Sequence, residues 1–226
     1  MIGKILKILA LLIREKDYDL AHQLKSNATK EAIDFYQRNM AECIVFSNKK
    51  SMIDFELENI KISGSYLEFG VANAVHTNYI AKKISPKTIH GFDSFEGFPE
   101  YFDGIKKELH DFHGKLPWVE KNVILHQGWF DQTLPKFVKN NNEKIAYLNI
   151  DCDLYSSTKT VLSNLADKLQ VGTIIHFDEF LNFPGWKNHE FKAWNEFLDN
   201  HKIKFEYLAV GNRGEITLII NSITNE

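Results

Sequence analysis

The chain has 226 residues and a formal net charge of −3, from 27 lysines and arginines against 30 aspartates and glutamates. With 44% hydrophobic and 25% charged residues, its composition is typical of a globular protein and excludes a disordered one. The lack of a basic excess argues against a nucleic-acid partner held by counterion release. Two cysteines, Cys43 and Cys152, are too few for a disulfide framework and favour a reducing, cytoplasmic location.

Residues 1–13 are apolar apart from Lys4 and Lys7. This stretch is shorter than the roughly 20 apolar residues that cross a bilayer, and charged residues 14–17 follow it without a cleavage site. We therefore expect no stable membrane insertion. Two interpretations stay open: a helix that packs on the domain or on a second subunit, and a helix that lies on a membrane surface. The apolar segment and aromatic-rich helices favour a homodimer.

Two regions with different patterns follow one another along the chain. Residues 1–60 are predicted to form an N-terminal helical arm, in which Thr29 caps one helix and Ser51 begins another. In residues 61–226, short apolar runs alternate with helical stretches. The predicted strands are 66–69, 88–92, 123–126, 145–150 and 173–177, and the predicted helices are 74–84, 131–140, 156–169 and 186–201.

This alternation is typical of a doubly wound α/β domain, in which helices cover both faces of a mostly parallel sheet. At the C-terminus, residues 204–210 and 215–221 flank a turn that contains two glycines, which predicts an antiparallel β-hairpin. Ligands of such sheets bind at the carboxyl ends of the parallel strands. Residues that directly follow the predicted strands are therefore the candidates for function.

The first predicted strand carries Glu68 near its end, and Gly70, Val71 and Ala72 follow it. A glycine after a strand lets a ligand approach the backbone and the free N–H groups of the next helix. A carboxylate just before this glycine disfavours a pyrophosphate. It suits a cofactor with an ammonium group or a cationic centre, and S-adenosyl-L-methionine (SAM) has both. Alternatively, Glu68 is an ordinary strand-end residue.

Acidic and aromatic residues follow the next two strands. Asp93 stands where an acidic residue binds ribose hydroxyls in nucleotide-binding sheets, although it can instead cap a turn. Gly128 and Trp129 follow the third strand. Trp129 either stacks on a flat ring such as adenine or belongs to the core.

The fourth and fifth predicted strands both end in carboxylates. Asp151 and Asp153 follow the fourth strand, and Asp178 and Glu179 follow the fifth. Clustered carboxylates repel one another unless a cation neutralises them, and oxygen ligands select Mg²⁺ or another hard divalent cation over zinc. The pattern predicts a metal held by Asp151, Asp178 and Glu179, with Asp153 as a further candidate. Helix capping is the alternative.

Five segments, taken in order, resemble the macrocin O-methyltransferase family. They are YLEFGV, HGFDSFEGFPE, GWFDQTLP, YLNIDCDLYSST and GTIIHFDEF, between residues 64 and 200. That family consists of class I SAM-dependent enzymes that methylate sugar hydroxyls of macrolides, with relatives that act on other glycosides and polysaccharide precursors. The resemblance implies a Rossmann-like methyltransferase domain.

The same resemblance implies roles for single residues. Asp151, Asp178 and Glu179 match the metal positions, and Asp151 also matches a proposed general base. The residues that match the SAM site are Glu68, Gly70, Asp93 and Ser94. The family commonly has two aspartates where this chain has Asp178 and Glu179, which preserves the charge and adds one methylene of reach.

The sequence thus predicts methyl transfer from SAM to a hydroxyl of a sugar or glycoside, with a divalent cation that orients and activates this hydroxyl. His189 lies in the segment expected on the acceptor side. It either contacts the acceptor, as a base or through a hydrogen bond, or is a surface histidine. Two other functions stay open: a SAM-binding module without catalysis, and a nicotinamide-dependent dehydrogenase, which would lack two glycines of its usual fingerprint.

Overall fold

The structure is a computed structural model and describes residues 19–101 and 107–224. The strands within these ranges are β1 (Ile44–Phe46), β2 (Ser65–Phe69), β3 (Ile89–Asp93), β4 (Val123–Gln127), β5 (Ile145–Ile150), β6 (Ile174–Phe177), β7 (Lys202–Gly211) and β8 (Ile216–Thr224). The helices are α1 (Leu20–Asn39), α2 (Lys49–Asn59), α3 (Val75–Ile84), α4 (Phe130–Asn140), α5 (Tyr155–Leu165) and α6 (Glu190–Asn200), with short 3-10 turns at Ala166–Lys168 and Trp186–Asn188.

The strands form one sheet in the order β1-β7-β8-β6-β5-β2-β3-β4. Strands β2 to β6 pair in parallel, and β8 inserts antiparallel between β6 and β7. This confirms the predicted parallel sheet and its C-terminal hairpin. From β2 the chain adds β3 and then β4 on one side of β2, and it then crosses to β5, which lies on the other side of β2. The carboxyl ends of β2 and β5 therefore flank the switch point where such folds bind ligands.

Helices cover both faces of the sheet, which explains why every residue of β2 and β5 is buried. Leu67 and Leu148 face the core under α1, α4, α5 and α6. Tyr66 and Tyr147 face the opposite core, under α2 and α3. Because side chains alternate along a strand, Glu68 points to the same face as Tyr66, the one that α2 covers.

The N-terminal region differs from the predicted helical arm in two ways. Helix α1 begins earlier than expected, with Asp19 as its N-cap, and Thr29 lies inside the helix with its hydroxyl bonded to the Lys25 carbonyl. The predicted cap at Thr29 is therefore wrong, whereas a helix does begin near Ser51, capped by Asn48. Residues 44–46 form β1, which pairs in parallel with β7 at the edge of the sheet.

The apolar segment 1–13, with its predicted helix, lies outside the described residues. Among the helices of residues 19–101 and 107–224, none has the length and apolar character needed to cross a bilayer. The boundary at residue 60, the homodimer and the cytoplasmic location stay predictions.

Candidate active site

A cavity of about 620 Å³ opens at the carboxyl ends of β2, β3 and β5. Most of the predicted site residues line it: Glu68, Gly70, Val71, Ala72, Asp93, Ser94, Trp129, Asp151, Asp178 and Glu179. Gly128 and His189 do not line it. The Gly128 N–H donates to the Asp93 carbonyl. His189 lies just before α6, with its ring 5.9 Å from that of Phe183.

Gly70 brings the ends of β2 and β5 together. Its φ of +97° lies in the region that favours glycine. A Cβ at this position would lie 1.6 Å from the Asp151 carbonyl oxygen, far inside van der Waals contact. The glycine therefore allows the loop that follows β2 (residues 70–74) to contact the end of β5, which is followed by Asp151.

Asp93 holds this loop in place from the neighbouring strand. Its Oδ2 accepts hydrogen bonds from the backbone N–H groups of Val71 and Ala72, at 2.9 and 2.8 Å. Its Oδ1 accepts from the Phe95 N–H at 2.7 Å. The turn-capping role is thus present in the structure. Oδ1 retains one further acceptor site, so a contact with a ribose hydroxyl is still available.

Glu68 carries a buried carboxylate that is only partly satisfied. Its side chain is 1% exposed, and its Oε1 accepts a hydrogen bond from Asn149 Nδ2 at 3.0 Å. Its Oε2 has no partner of good hydrogen-bond geometry within the described part of the chain, although the nearby Thr77 side chain favours the charged carboxylate and lowers its pKa. Burial raises the pKa of this carboxyl to about 7. Because an unpaired buried polar atom is costly, Glu68 is poised to bind a donor or a cation that enters the cavity.

Three carboxylates meet at the ends of β5 and β6. Asp151, Asp153 and Glu179 each offer an oxygen within 4.8 Å of the others. Burial raises the pKa of Asp153 to about 6 and that of Glu179 well above its usual range. Behind them, the buried Glu190 accepts a hydrogen bond from the Glu179 N–H at 3.1 Å. We call Asp151, Asp153 and Glu179 together the acidic group. A divalent cation would relieve the repulsion among their carboxylates.

Asp178, a predicted metal ligand, lines the same cavity but is not one of the three residues whose carboxylate oxygens lie within 4.8 Å of one another. Its Oδ1 lies 2.5 Å from Lys49 Nζ and 3.5 Å from His176 Nε2. Although burial opposes it, these two partners hold the pKa of Asp178 below its ordinary value. The structure thus groups Asp153, and not Asp178, with Asp151 and Glu179. The metal ligands themselves stay a prediction.

Sequence reasoning missed the side chains that stabilise this edge of the sheet from α2. Lys49 also contacts Asp151, with 2.9 Å between Nζ and Oδ2. Glu56 lies fully buried, with its Oε1 2.7 Å from His176 Nδ1, and its Oε2 accepts a hydrogen bond from the Tyr147 hydroxyl at 2.7 Å. One sequence signal was available. Residues seven apart lie on one face of a helix, so Lys49 and Glu56 point the same way.

Residues 56–215 match the family described as macrocin-O-methyltransferase (TylF). This match covers more than half of the chain, and the protein belongs to that family of methyltransferases. It counts against the nicotinamide-dependent dehydrogenase.

Two characterised relatives illustrate the relationship. The chain is 28% identical over 145 residues to demethyldecarbamoylnovobiocin O-methyltransferase of Streptomyces niveus, a match that covers 56% of this chain and 51% of that protein. It is 26% identical over 179 residues to mycinamicin III 3''-O-methyltransferase of Micromonospora griseorubida, a match that covers 68% of this chain and 67% of that one. The matched part thus spans about half the length of the first relative.

Solved structures confirm the class I methyltransferase fold. The calicheamicin methyltransferase CalS11 superposes with a TM-score of 0.59 at 23% identity, covering 87% of this chain and 91% of that one. The O-methyltransferase NovP gives a TM-score of 0.57 at 22% identity, covering 77% and 80%. At these identities the likeness establishes the fold alone.

The raised pKa of Glu68 makes stability depend on pH. Its pKa rises from 4.5 to about 7 on folding. Its contribution to the free energy of unfolding is therefore fully present below pH 4.5 and is lost as the pH rises through about 7. Glu68→Gln removes this loss. We expect the variant to exceed the native protein in unfolding free energy by up to about 3 kcal/mol at pH 8, and by far less at pH 4.5. Urea titrations at both pH values measure this difference.

Glu58→Gln, on the exposed side of α2, is the matched control and should leave the pH profile unchanged. An equal effect of Glu68→Gln at both pH values would contradict the raised pKa.

Gly70→Ala should destabilise the fold by at least about 3 kcal/mol, because the new Cβ meets backbone as well as a strained φ. Gly114→Ala is the control, since Gly114 shares a positive φ of +71° but a Cβ there would lie 3.5 Å from its nearest neighbour. It should cost only about 1 kcal/mol. Chemical denaturation measures the free energy of unfolding of both variants. Similar decreases in the two would mean that the close approach of Gly70 to Asp151 does not matter for stability.

Proposed function

We propose that the protein is a SAM-dependent O-methyltransferase that methylates a hydroxyl of a sugar or glycoside. One observation carries the proposal: a single cavity joins the unpaired buried oxygen of Glu68 to the acidic group, at the switch point of a methyltransferase fold. Family membership supports the same conclusion. The relatives' names support a sugar acceptor, since one is a 3''-O-methyltransferase of mycinamicin III and another acts on a rhamnosyl-tetracenomycin.

The residues at one end of the cavity fit SAM. Glu68 offers a carboxylate oxygen to an ammonium group, and Asp93 retains acceptor capacity for ribose hydroxyls. Trp129 lines the same cavity, where its ring can stack on adenine. SAM supplies an electrophilic methyl group when it is bound. The protein's task is then to hold the acceptor oxygen in line with that methyl, and such positioning can contribute about 7–11 kcal/mol in well-oriented cases.

The acidic group fits a divalent cation, because its donors are all carboxylate oxygens. Asp151, Asp153 and Glu179 would hold the ion, and Mg²⁺ bound there would lower the pKa of a coordinated hydroxyl. Ser156, Ser157 and Thr160 line the cavity as well. Their hydroxyls offer further hydrogen bonds to a sugar.

Two aspartates are candidates for the proton acceptor. The resemblance points to Asp151, which in the structure is paired with Lys49. Asp153 lines the cavity, burial raises the pKa of its carboxyl, and Lys49 pairs with Asp151 and Asp178 instead of with it. Asp153 also adopts a positive φ of 61°, a strain that functional residues often carry. We therefore assign proton acceptance to one oxygen of Asp153, while its other oxygen would hold the cation together with Asp151 and Glu179. His189 receives no role, since it does not line the cavity.

The first experiment is calorimetric titration of the purified protein with SAM. We expect micromolar binding, followed by methyl transfer from labelled SAM to a member of a panel of nucleotide sugars and glycosides. No binding would contradict the proposed function. Binding without transfer to any acceptor, with and without Mg²⁺, would favour the non-catalytic SAM-binding module.

Asp153→Asn should lower kcat by a factor of roughly 10² to 10⁴, because it removes the proton acceptor and one carboxylate ligand of the cation. The SAM dissociation constant should change by less than about threefold, since Asp153 is not among the residues assigned to SAM. Asp199→Asn, on the exposed side of α6, is the control. Steady-state kinetics and SAM calorimetry test the variant together, and parallel losses of turnover and SAM affinity would contradict this assignment.

A further inference from the structure

Lys49 approaches the acidic residues from outside the cavity. It is the first residue of α2, its side chain is 16% exposed, and its ammonium bridges Asp151 and Asp178. It does not line the cavity, and it precedes the segment that matches the family. The amine is thus a fixed positive charge that this chain places behind two carboxylates of the candidate site.

The position of Lys49 is coupled to the core through its own helix. Glu56, two turns further along α2, forms an ion pair with His176, and neither side chain is exposed. His176 in turn lies 3.5 Å from the same oxygen of Asp178 that Lys49 contacts. Asp178 is therefore held between two basic groups. One of these comes from α2, and the other is anchored by it.

This arrangement decides which oxygens are available to a metal ion. Lys49 contacts Oδ2 of Asp151, which His76 Nδ1 also approaches at 3.5 Å, and it contacts Oδ1 of Asp178, which lies outside the acidic group. Only one oxygen of Asp151, with Asp153 and Glu179, then remains for a cation. A positive charge fixed this close to a divalent ion also repels it, more strongly in a buried site than in water.

We propose that Lys49 is a positioning residue that acts as an internal competitor of the divalent cation for Asp151 and Asp178. It weakens metal binding and makes the affinity for metal depend on how α2 is docked. This inference rests on the proposed function, because it concerns the metal assigned there. It extends that function by giving the site a regulator built from the chain itself.

The test is Mn²⁺ binding to the purified, SAM-bound protein, followed by electron paramagnetic resonance of the free ion. Lys49→Met should lower the Mn²⁺ dissociation constant at least tenfold, whereas Lys49→Arg, which keeps the charge, should stay within about threefold of the native protein. Lys50→Met is the matched control. Lys50 is exposed and lies over the Tyr79 ring instead of the acidic residues, so its loss should change nothing.

A second arm tests whether Lys49 withholds Asp178 from the metal. Asp178→Asn should weaken Mn²⁺ binding much more in the Lys49→Met background than in the native protein, because Asp178 can become a ligand only once Lys49 is gone. Additive effects of the two substitutions would overturn the inference. Circular dichroism and SAM titration verify that each variant folds. Lys49→Gln repeats the test if the methionine variant does not fold.

The outcomes separate this inference from the proposed function. Unchanged or weaker Mn²⁺ binding by Lys49→Met, with SAM binding intact, overturns the role of Lys49 and leaves the methyltransferase proposal standing. Absence of Mn²⁺ binding in both proteins overturns it as well. Loss of SAM binding in the native protein instead contradicts the proposed function.

Discussion

Electrostatic repulsion among half-buried carboxylates is the constraint on which the candidate site depends. The ends of β5 and β6 carry Asp151, Asp153, Asp178 and Glu179, and Glu190 lies buried behind them. Desolvation and mutual repulsion disfavour so much negative charge in one place. Basic groups beside Asp178 compensate part of this charge, and the pKa values of Asp153, Glu179 and Glu190 are raised. The negative charge that remains uncompensated is the reason why this edge of the sheet is the candidate binding site.

Binding capacity and stability oppose each other at this site. Glu68 has one buried oxygen with no partner of good hydrogen-bond geometry, and the acidic group has carboxylate oxygens within 4.8 Å of one another. Both features cost folding free energy in the isolated chain, and both are relieved by a ligand that brings positive charge. A cationic cofactor at Glu68 and a divalent ion at the acidic group would satisfy the two ends of one cavity. In the proposed reaction, both the methyl donor and the metal ion bring positive charge to these carboxylates.

Local patterns predicted the elements that form the sheet. Buried parallel strands are short continuous apolar runs, and the hairpin between β7 and β8 carries glycine in its turn, so both are visible without tertiary information. Patterns failed where several residues satisfy the same local rule. Thr29 has a capping side chain, yet Asp19 caps α1 because the helix starts well upstream of Thr29. Strand β1 is only three residues long, and it forms because β7 offers a free edge.

The sequence by itself determined the doubly wound fold and brought most of the candidate site together, because residues that follow parallel strands must meet at one edge of the sheet. It did not determine which carboxylate oxygens lie close together or which basic groups contact them. Lys49 lies 102 residues before Asp151 and reaches it only through the packing of α2 on the sheet. The hydrophobic pattern along a chain indicates whether a segment is a helix or a strand, and it shows which residue follows its end. The direction in which a charged side chain points is decided by partners distant in sequence, and only the tertiary structure supplies them.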